Sequence, residues 1–313
     1  MSNDGTVFGH DKHLTGAAAL QGAPDAGVPR HDSYLDECLG GYRLYGDDFT
    51  PMELAEWFQD EREGFADLGA KERSSYAYEY HALNEAHGFR HLPDRPFRHV
   101  LSIGGAYGDE LIPMLRKVSR VTILEPSDRL AMTNIDGVPV EYVKPAVTGL
   151  MPFADATFEL ATCFGCLHHI PNVSTVLREL FRCLTPSGYA VLREPIVSMG
   201  DWRRPRPGLT KRERGIPLAV FRNIVSAAGF HIRRETLCVF PAIPRLGIAM
   251  GGYAYNSSIV VKLDRALSWL FASNYRYHSL SPTWFEKLKP LAVALVLQKP
   301  PLPGASGSAA RGH

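Results

Sequence analysis

Three groups of residues in this chain could carry chemistry, and each follows an apolar stretch. The first group is a glycine-rich turn, Gly104-Gly105-Ala106-Tyr107-Gly108, which comes directly after Val100–Ile103. Glycine permits positive φ and lets a ligand approach the backbone closely. A helical pattern follows the turn, and the free N–H groups at a helix start attract an anionic group. The turn therefore predicts a nucleotide-binding loop, although a plain tight turn has the same composition.

The second group is a single acid, Glu125, which ends the apolar stretch Val121–Leu124 and is followed by Pro126. It lies about twenty positions after Gly104, where a doubly wound fold places the carboxylate that hydrogen-bonds a ribose diol. The alternative is a favourable negative charge at a helix N-terminus. The turn and Glu125 together predict a cofactor that contains adenosine.

The third group consists of titratable residues after two later stretches, His168 and His169 after Phe158–Phe164, and Glu194 after Tyr189–Arg193. Unperturbed histidine titrates near neutral pH, so His169 is a candidate general base, and Glu194 is a candidate base or acceptor contact. The structural alternatives are a loop-capping histidine and a glutamate paired with a neighbouring arginine. Two adjacent histidines lack the further ligands that a metal site needs, so no metal is expected.

Alternating apolar and helical patterns indicate how these groups are positioned. Strands are predicted at 98–103, 120–125, 158–164, 189–193 and 232–240, helices at 108–117, 173–184 and 216–228, and a short third unit at 126–147. The alternation predicts an α/β fold, a Rossmann-like, doubly wound and mostly parallel sheet. Because ligands bind at the carboxyl ends of such strands, the turn, Glu125, Phe164 and Glu194 are expected at one site.

Three later segments resemble class I S-adenosylmethionine-dependent methyltransferases in sequence, order and spacing: Met151–Leu160 (MPFADATFEL), Leu167–Pro171 (LHHIP) and Arg178–Tyr189 (RELFRCLTPSGY). The resemblance covers roughly residues 97–240 and implies S-adenosylmethionine as the cofactor. The positions that it assigns to cofactor binding are Ser102, Gly104, Gly105, Ala106, Gly108, Glu125, Pro126 and Phe164. The chain departs from the family pattern, which usually has an acid at position 102, a glycine at 106 and an acidic adenine contact within 144–149, where Val147 or Thr148 stands here.

The rest of the chain divides by composition. Residues 1–33 and 300–313 are expected to be disordered, 34–96 to form a helical addition, and 290–299 to be the last strand of the core. Thr50, Pro51 and Glu53 have the pattern of a helix start. The aromatic residues of 34–96 are expected to pack on the sheet, with a lid over the methyl acceptor as the alternative. An insertion at 241–289, with a helical stretch at 260–271, is expected to form either the acceptor pocket or a dimer contact.

The segment 199–215 contains six basic residues and two prolines, so it is expected to be a loop. One interpretation is a solvated, positively charged loop. The other is a border of the site that receives an anionic acceptor, since the arginine fork suits carboxylate and phosphate groups.

Composition excludes several classes of protein. The 313 residues include 34 Lys and Arg and 33 Asp and Glu, and the net charge of +1 gives no reason to expect a nucleic-acid partner. No stretch is long and apolar enough for a membrane span. Five scattered cysteines and an N-terminus unlike a signal peptide lead us to expect a cytoplasmic protein.

We therefore predict methyl transfer to a small molecule, with a hydroxyl of a sugar or secondary metabolite as the acceptor group, and a homodimer as one option for assembly. One alternative is a non-catalytic partner subunit on the same fold, because Ser102 and Ala106 depart from the usual turn. Another is a nicotinamide-dependent oxidoreductase, which would leave Pro152-Phe153 and Arg182–Gly188 unexplained.

Overall fold

The structure is a computed structural model, and it describes residues 32–67, 72–202, 204–249, 252–278 and 283–302. The predicted disordered ends lie almost entirely outside these ranges. The exception at the N-terminus is the first helix, α1 (Asp32–Leu39), which begins within the segment that the sequence analysis assigns to the arm.

The described residues form one sheet of eight strands in the order β3-β4-β2-β1-β5-β6-β8-β7. Their bounds are β1 Val100–Ile103, β2 Val121–Leu124, β3 Asn134–Ile135, β4 Val138–Val143, β5 Phe158–Phe164, β6 Leu184–Pro195, β7 His231–Cys238 and β8 Ala292–Gln298. The central strands β4, β2, β1, β5 and β6 pair in parallel. The other pairs, β3 with β4, β6 with β8 and β7 with β8, are antiparallel. The predicted α/β Rossmann-like fold is confirmed.

Burial on both faces explains why the central strands are continuous apolar runs. Every residue of β1 and β2 is buried, and β5 is buried at all positions but one. Such runs are typical of parallel strands covered by helices on both sides. Strand β8 lies within the stretch 290–299 that the sequence analysis assigns to the last strand. Strand β6 is longer than the predicted 189–193, because it begins at Leu184, which pairs with Phe158 of β5.

Helices cover the sheet and form the N-terminal addition and the insertion. After α1 they are α2 Pro51–Glu61, α3 Gly64–Asp67, α4 His81–His87, α5 Val173–Cys183, α6 Leu218–Ala227, α7 Ala242–Ala249 and α8 Ser258–Leu270. Short 3₁₀ segments occur at Phe89–His91, Leu167–His169, Ala254–Asn256 and Ala272–Asn274. Among the helices of the described ranges, none has the length and apolar content that crossing a bilayer requires.

The helix expected after the glycine turn differs from the prediction. Residues Asp109–Lys117 form a 3₁₀ helix with Pro113 inside it. Proline has no N–H to donate in either type of helix, but in an α-helix its ring would also clash with the carbonyl of the residue four positions back, here Asp109. The tighter 3₁₀ geometry is therefore a consequence of Pro113, which the prediction of a regular helix neglected.

The N-terminal addition packs against the loop after β5. Thr50 and Glu53 form the predicted capping box at the start of α2. Trp57 of α2 is 1% exposed, and its Nε1 donates a 2.7 Å hydrogen bond to the carbonyl of His169. Later in the addition, α4 is preceded by residues 76–80, which are not helical. The addition therefore reaches the candidate site as well as the core.

Candidate functional site

The glycine turn joins β1 to the 3₁₀ helix, and two of its glycines adopt a backbone conformation that other residues rarely take. Gly104 has φ 64° and Gly108 has φ 77°, the left-handed region that favours glycine. A Cβ at Gly104 would lie 2.2 Å from Cys166 Sγ, and one at Gly108 would lie 2.2 Å from Ile135 Cδ1. Ala106 also has positive φ, 47°, so the chain accepts a strained alanine where glycine would be relaxed.

Ser102 lies beneath the turn and is 0% exposed. Its Oγ donates a 2.7 Å hydrogen bond to Oε1 of Glu110, which also accepts a 2.7 Å bond from Thr162 Oγ1. Burial raises the pKa of Glu110, and the two hydroxyl donors oppose that rise. A carboxylate from the 3₁₀ helix thus stands beside the position where the usual strand acid is missing. Sequence reasoning missed Glu110, although Gly108-Asp109-Glu110 was the signal available.

Glu125 lies beside the turn, because β1 and β2 are neighbours with Ile103 opposite Leu124. It is 6% exposed, and its Oε1 accepts a 3.0 Å hydrogen bond from the Ser127 amide. Burial raises the pKa of Glu125 to about 7, while backbone hydrogen bonds from Ser127 and Ala106 oppose the rise. The structure therefore brings together the two features from which the sequence predicted an adenosine site.

Two adjoining cavities open at this edge of the sheet. The first, the apolar cavity, has a volume of about 760 Å³ including its mouth and is lined by Ile103, Leu124, Pro126, Val147, Leu150 and Trp57 among others. The second, the tyrosine cavity, measures about 1300 Å³ and reaches Gly104, Gly105, Ala106, Glu125, Pro126 and Phe164. These six residues were all predicted for cofactor binding, and of them only Pro126 also lines the apolar cavity. The other two predicted residues, Ser102 and Gly108, line neither cavity. An apolar slot beside a buried carboxylate suits a purine with its ribose.

The far wall of the tyrosine cavity consists of Tyr76, Tyr78, Tyr80 and Arg193. Arg193 is 7% exposed, its Cζ lies 4.1 Å from the ring centroid of Tyr80, and its Nε donates a 3.1 Å hydrogen bond to Asn84. Within the described part of the chain, no carboxylate forms an ion pair with Arg193. The cavity wall therefore carries a buried positive charge that is stabilised by tyrosine rings and an amide, and sequence reasoning did not single it out.

Glu194 is 0% exposed and lies inside the loop after β5. It accepts hydrogen bonds from the amides of Cys166 at 3.0 Å and Leu167 at 2.9 Å, and it lies 2.8 Å from Nδ1 of His168. Such contacts hold the loop in place and leave the carboxylate no exposed surface. They favour a positioning role for Glu194 over the roles of general base or acceptor contact. The expected pairing with Arg193 is absent among the described contacts.

His168 is buried between two carboxylates. Its Nδ1 contacts Glu194, and its Nε2 lies 3.4 Å from Oε1 of Glu213. Although burial alone would lower it, these two partners raise the pKa of His168 to about 9. The same contacts, against the opposing effect of burial, lower the pKa of Glu213 to about 2. The group is therefore an imidazolium held by two carboxylates at neutral pH.

His169 faces both cavities. Its Nδ1 lies 2.9 Å from Oε2 of Glu61 on α2 and 3.2 Å from Thr210 Oγ1. Burial would raise the pKa of Glu61, but its bonds to His169 and Thr210 hold that pKa below its ordinary value. An ionised Glu61 favours the tautomer of neutral His169 that has its proton on Nδ1, which leaves the lone pair on Nε2. Glu61 escaped the sequence analysis because it precedes His169 by more than a hundred residues.

Glu213 adds a third possible metal ligand to the two adjacent histidines, which by themselves are too few for a metal site. One ligand atom each of His168, His169 and Glu213 lies within 4.8 Å of the others. This donor set can chelate a divalent cation. To bind here, a cation would have to displace a proton from His168, whose two ring nitrogens already face Glu194 and Glu213. Among the described residues, a metal ion would therefore compete with a proton for a ring nitrogen of His168.

Two arginines of the basic segment 199–215 are held against other parts of the protein, whereas Arg204 and Lys211 of the same segment are exposed. Arg214 is 0% exposed and donates hydrogen bonds to the carbonyls of Tyr45, His168 and Ile170. Arg212 pairs with Asp60 of α2 at 2.7 Å. These contacts tie the segment to the histidine loop and to α2, so neither a solvated loop nor an open anion site describes these two side chains. Arg203 lies outside the described residues.

Comparison with known proteins bears on the central part of the chain. Residues 101–192 match the family model for a methyltransferase domain. No curated protein matches the sequence. Among solved structures the chain is similar to an S-adenosylmethionine-dependent methyltransferase from Mesorhizobium loti, with 17% identity over 66% of this chain and 94% of that chain and a TM-score of 0.44. A Thermotoga maritima methyltransferase, described as a possible histamine N-methyltransferase, is 17% identical over 79% of this chain and 95% of its own, with a TM-score of 0.44.

Proposed function

We propose that this chain, whose residues 101–192 form a class I S-adenosylmethionine-dependent methyltransferase domain, transfers the methyl group to a hydroxyl of a small molecule held in the tyrosine cavity. The observation that carries the proposal is the pairing of His169 with an ionised Glu61 at the junction of the two cavities. Deprotonation is what an unactivated hydroxyl needs before it attacks a methyl group. A sugar or a secondary metabolite would supply such a hydroxyl.

The cofactor sites follow from the two cavities. Glu125 would hold the ribose diol, the apolar cavity would take the adenine, and the turn at Gly104–Gly108 would receive the methionine end, with Glu110 as the acid on that side. When bound, S-adenosylmethionine supplies a methyl group on a sulfonium that is open to in-line attack. The residues of both cavities would exclude water and orient the acceptor hydroxyl.

His169 would take the acceptor proton on Nε2. The imidazolium that forms would be stabilised by Glu61, whose carboxylate lies 2.9 Å from Nδ1. Glu194 and His168 would act on the acceptor only through the loop that they position. His169 would thus transfer the proton, whereas His168 would hold the loop in place.

The buried guanidinium of Arg193 is the reason to propose that the acceptor carries an anionic group. A guanidinium that is buried in a cavity wall without a described carboxylate partner can receive a carboxylate or phosphate oxygen. The tyrosine rings beside it suit a flat or apolar body. We therefore propose an acceptor that carries both a hydroxyl and an anionic group, and Arg193 replaces the basic segment as the residue that recognises the anion.

Calorimetric titration with S-adenosylmethionine, S-adenosylhomocysteine and NADH tests the cofactor first. We expect binding of the first two and none of NADH. Methyl transfer from methyl-deuterated S-adenosylmethionine to a panel of hydroxylated carboxylic acids and their amides, followed by mass spectrometry, then tests the acceptor. Preference for the acids is expected. NADH binding without S-adenosylmethionine binding would overturn the proposal.

Replacement of His169 separates base catalysis from binding. His169→Asn should lower kcat on a hydroxyl acceptor by about 10²–10⁴-fold, the usual contribution of a positioned general base. The affinity for S-adenosylmethionine should stay unchanged. His231→Asn, an exposed histidine on β7, is the control. An unchanged kcat in His169→Asn would exclude His169 as the base.

A further inference from the structure

Helix α8 in the insertion has two apolar faces. Val260, Val261 and Ser268 face the body of the protein and are buried, together with Asp264. The opposite side carries an apolar stripe that points to solvent, at the i, i+4, i+7 and i+11 spacing of one helix face: Ile259, Leu263, Ala266 and Leu270. Ile259 is 76% exposed and Leu270 is 62% exposed. Packing within the chain therefore explains one face of the helix and leaves the other unexplained.

Exposed aromatic side chains extend the stripe. Trp269, at the C-terminal end of α8, is 78% exposed, and Trp284 is 75% exposed. The segment with Trp284 is held near that end of the helix, because Asn274 Nδ2 donates to the carbonyl of Phe285 and the rings of Phe271 and Phe285 lie 6.0 Å apart. We call the set Ile259, Leu263, Trp269, Leu270, Trp284 and Phe285 the α8 surface. Exposed apolar groups that lie near one another in this way mark interaction sites.

The exposed charged side chains in the described part of the insertion are all basic. Among the described residues of 242–289, the exposed charged side chains are Arg245, Lys262, Arg265, Arg276 and Lys287. Asp264 is 0% exposed, and Glu286 is half-buried. Since the whole chain has a net charge of only +1, the positive charge is a local feature of this insertion.

We propose that the α8 surface docks on the anionic face of a lipid bilayer, with its apolar stripe in the boundary between headgroups and acyl chains. Exposed tryptophan, a helix lying with an apolar face outward, and flanking lysine and arginine form the combination that binds such an interface. A second copy of the chain is a poorer partner, because a two-fold contact through this surface would place like charges together. The proposal is independent of the acceptor and of the methyl-transfer chemistry.

Cosedimentation of the full chain with vesicles tests the proposal. The chain should pellet with vesicles of phosphatidylcholine mixed with phosphatidylglycerol and remain in solution with phosphatidylcholine alone, and added salt should weaken the binding. Tryptophan fluorescence should shift to the blue on binding. The double variant Trp269→Ser, Trp284→Ser and the double variant Lys262→Glu, Arg265→Glu should each bind at least tenfold more weakly.

A matched control is Arg116→Glu with Arg120→Glu, which makes the same change in net charge at exposed positions on another face and should bind like the wild type. All variants lie outside both cavities, so calorimetry with S-adenosylmethionine checks that they are folded without involving lipid. The proposal is overturned if the wild type binds neither kind of vesicle. It is also overturned if light scattering shows a stable dimer that the tryptophan variant abolishes, since a second copy would then cover the surface.

Discussion

Glu125 combines a buried position with unused hydrogen-bonding capacity. One of its oxygens accepts a bond from Ser127, and burial at 6% exposure raises its pKa to about 7. A carboxylate can accept several hydrogen bonds, so both hydroxyls of a diol could bind it. Burial makes the ionisation of Glu125 unfavourable while no ligand donates to it. We therefore expect its ionised form to be favoured once the ribose hydroxyls donate hydrogen bonds to it.

Cofactor affinity should therefore depend on pH through this one residue. Only the ionised carboxylate accepts from both hydroxyls, so affinity should fall as pH drops below about 7 and level off above it. Glu125→Gln should weaken binding by about 1–3 kcal/mol at pH 8 and should lack this pH dependence. Calorimetry with S-adenosylhomocysteine between pH 5.5 and about 8.5 measures both effects.

Glu141→Gln provides the control for that experiment, because this glutamate is exposed on β4, the strand next to β2. Its affinity profile should follow that of the wild type. Parallel pH profiles in the wild type and in Glu125→Gln would show that Glu125 does not contact the cofactor.

At the scale of elements, the loop between β5 and α5 is held by partners from three separate parts of the chain. Glu194 ends β6, Glu61 ends α2, and Glu213 and Arg214 belong to the basic segment. The loop supplies His168 and His169 in the short 3₁₀ segment Leu167–His169. Its geometry therefore depends on the docking of α2 and the basic segment against the sheet.

The His168 cluster should make stability depend on pH. The pKa of His168 is about 9 in the folded chain and about 6.5 in the unfolded chain, so its contribution is complete below about pH 6.5 and is lost as pH rises through 9. His168→Gln should thus lose most stability at pH 6, and the gap to the wild type should narrow toward about pH 9. Urea denaturation at several pH values measures this difference.

The exposed His231→Gln is the matched control, and its stability should track that of the wild type at every pH. A gap between the wild type and His168→Gln that widens as pH rises would contradict the assignment of an imidazolium to this position.

At the scale of the whole molecule, the insertion supports the cavity wall from behind. None of the described residues of the insertion, 241–289, lines either cavity. Asn256 instead donates a 2.9 Å hydrogen bond to the carbonyl of Tyr78, and Tyr255 stacks on Tyr80 at 5.6 Å. We therefore propose that the insertion contributes to the acceptor pocket indirectly, by holding Tyr78 and Tyr80, and the alternative of a dimer contact stays a prediction.

Asp264 anchors the insertion to the core. Its carboxylate accepts hydrogen bonds from the amides of Val239 and Phe240 and from the hydroxyl of Tyr255. Asp264→Ala should cost about 1–3 kcal/mol for each donor left unpaired. Denaturant unfolding gives the loss, and Lys262→Ala on the exposed side of α8 should stay within about 0.5 kcal/mol of the wild type. A loss no larger than that of the control would mean that the insertion is not anchored there.

The sequence alone was sufficient for the features that depend on short stretches of chain. The apolar runs identified the central strands, the capping pattern located α2, and the glycine turn and Glu125 came together because neighbouring parallel strands end at one edge. Turns and strands are determined largely by constraints within a few residues, such as the positive φ that Gly104 and Gly108 adopt. Pro113 was also visible in the sequence, and its effect on the following helix was misjudged.

Only the tertiary structure decided which charged groups meet and which remain unpaired. The sequence analysis offered the basic segment as an anion site and Glu194 as a base, yet the chain buries Arg214 against carbonyls and Glu194 against amides. Glu61 and Arg193 acquired their proposed roles through contacts between distant segments. The physical reason is that the protonation and availability of a side chain depend on burial and on neighbouring charges, and packing sets both only when the whole chain has folded.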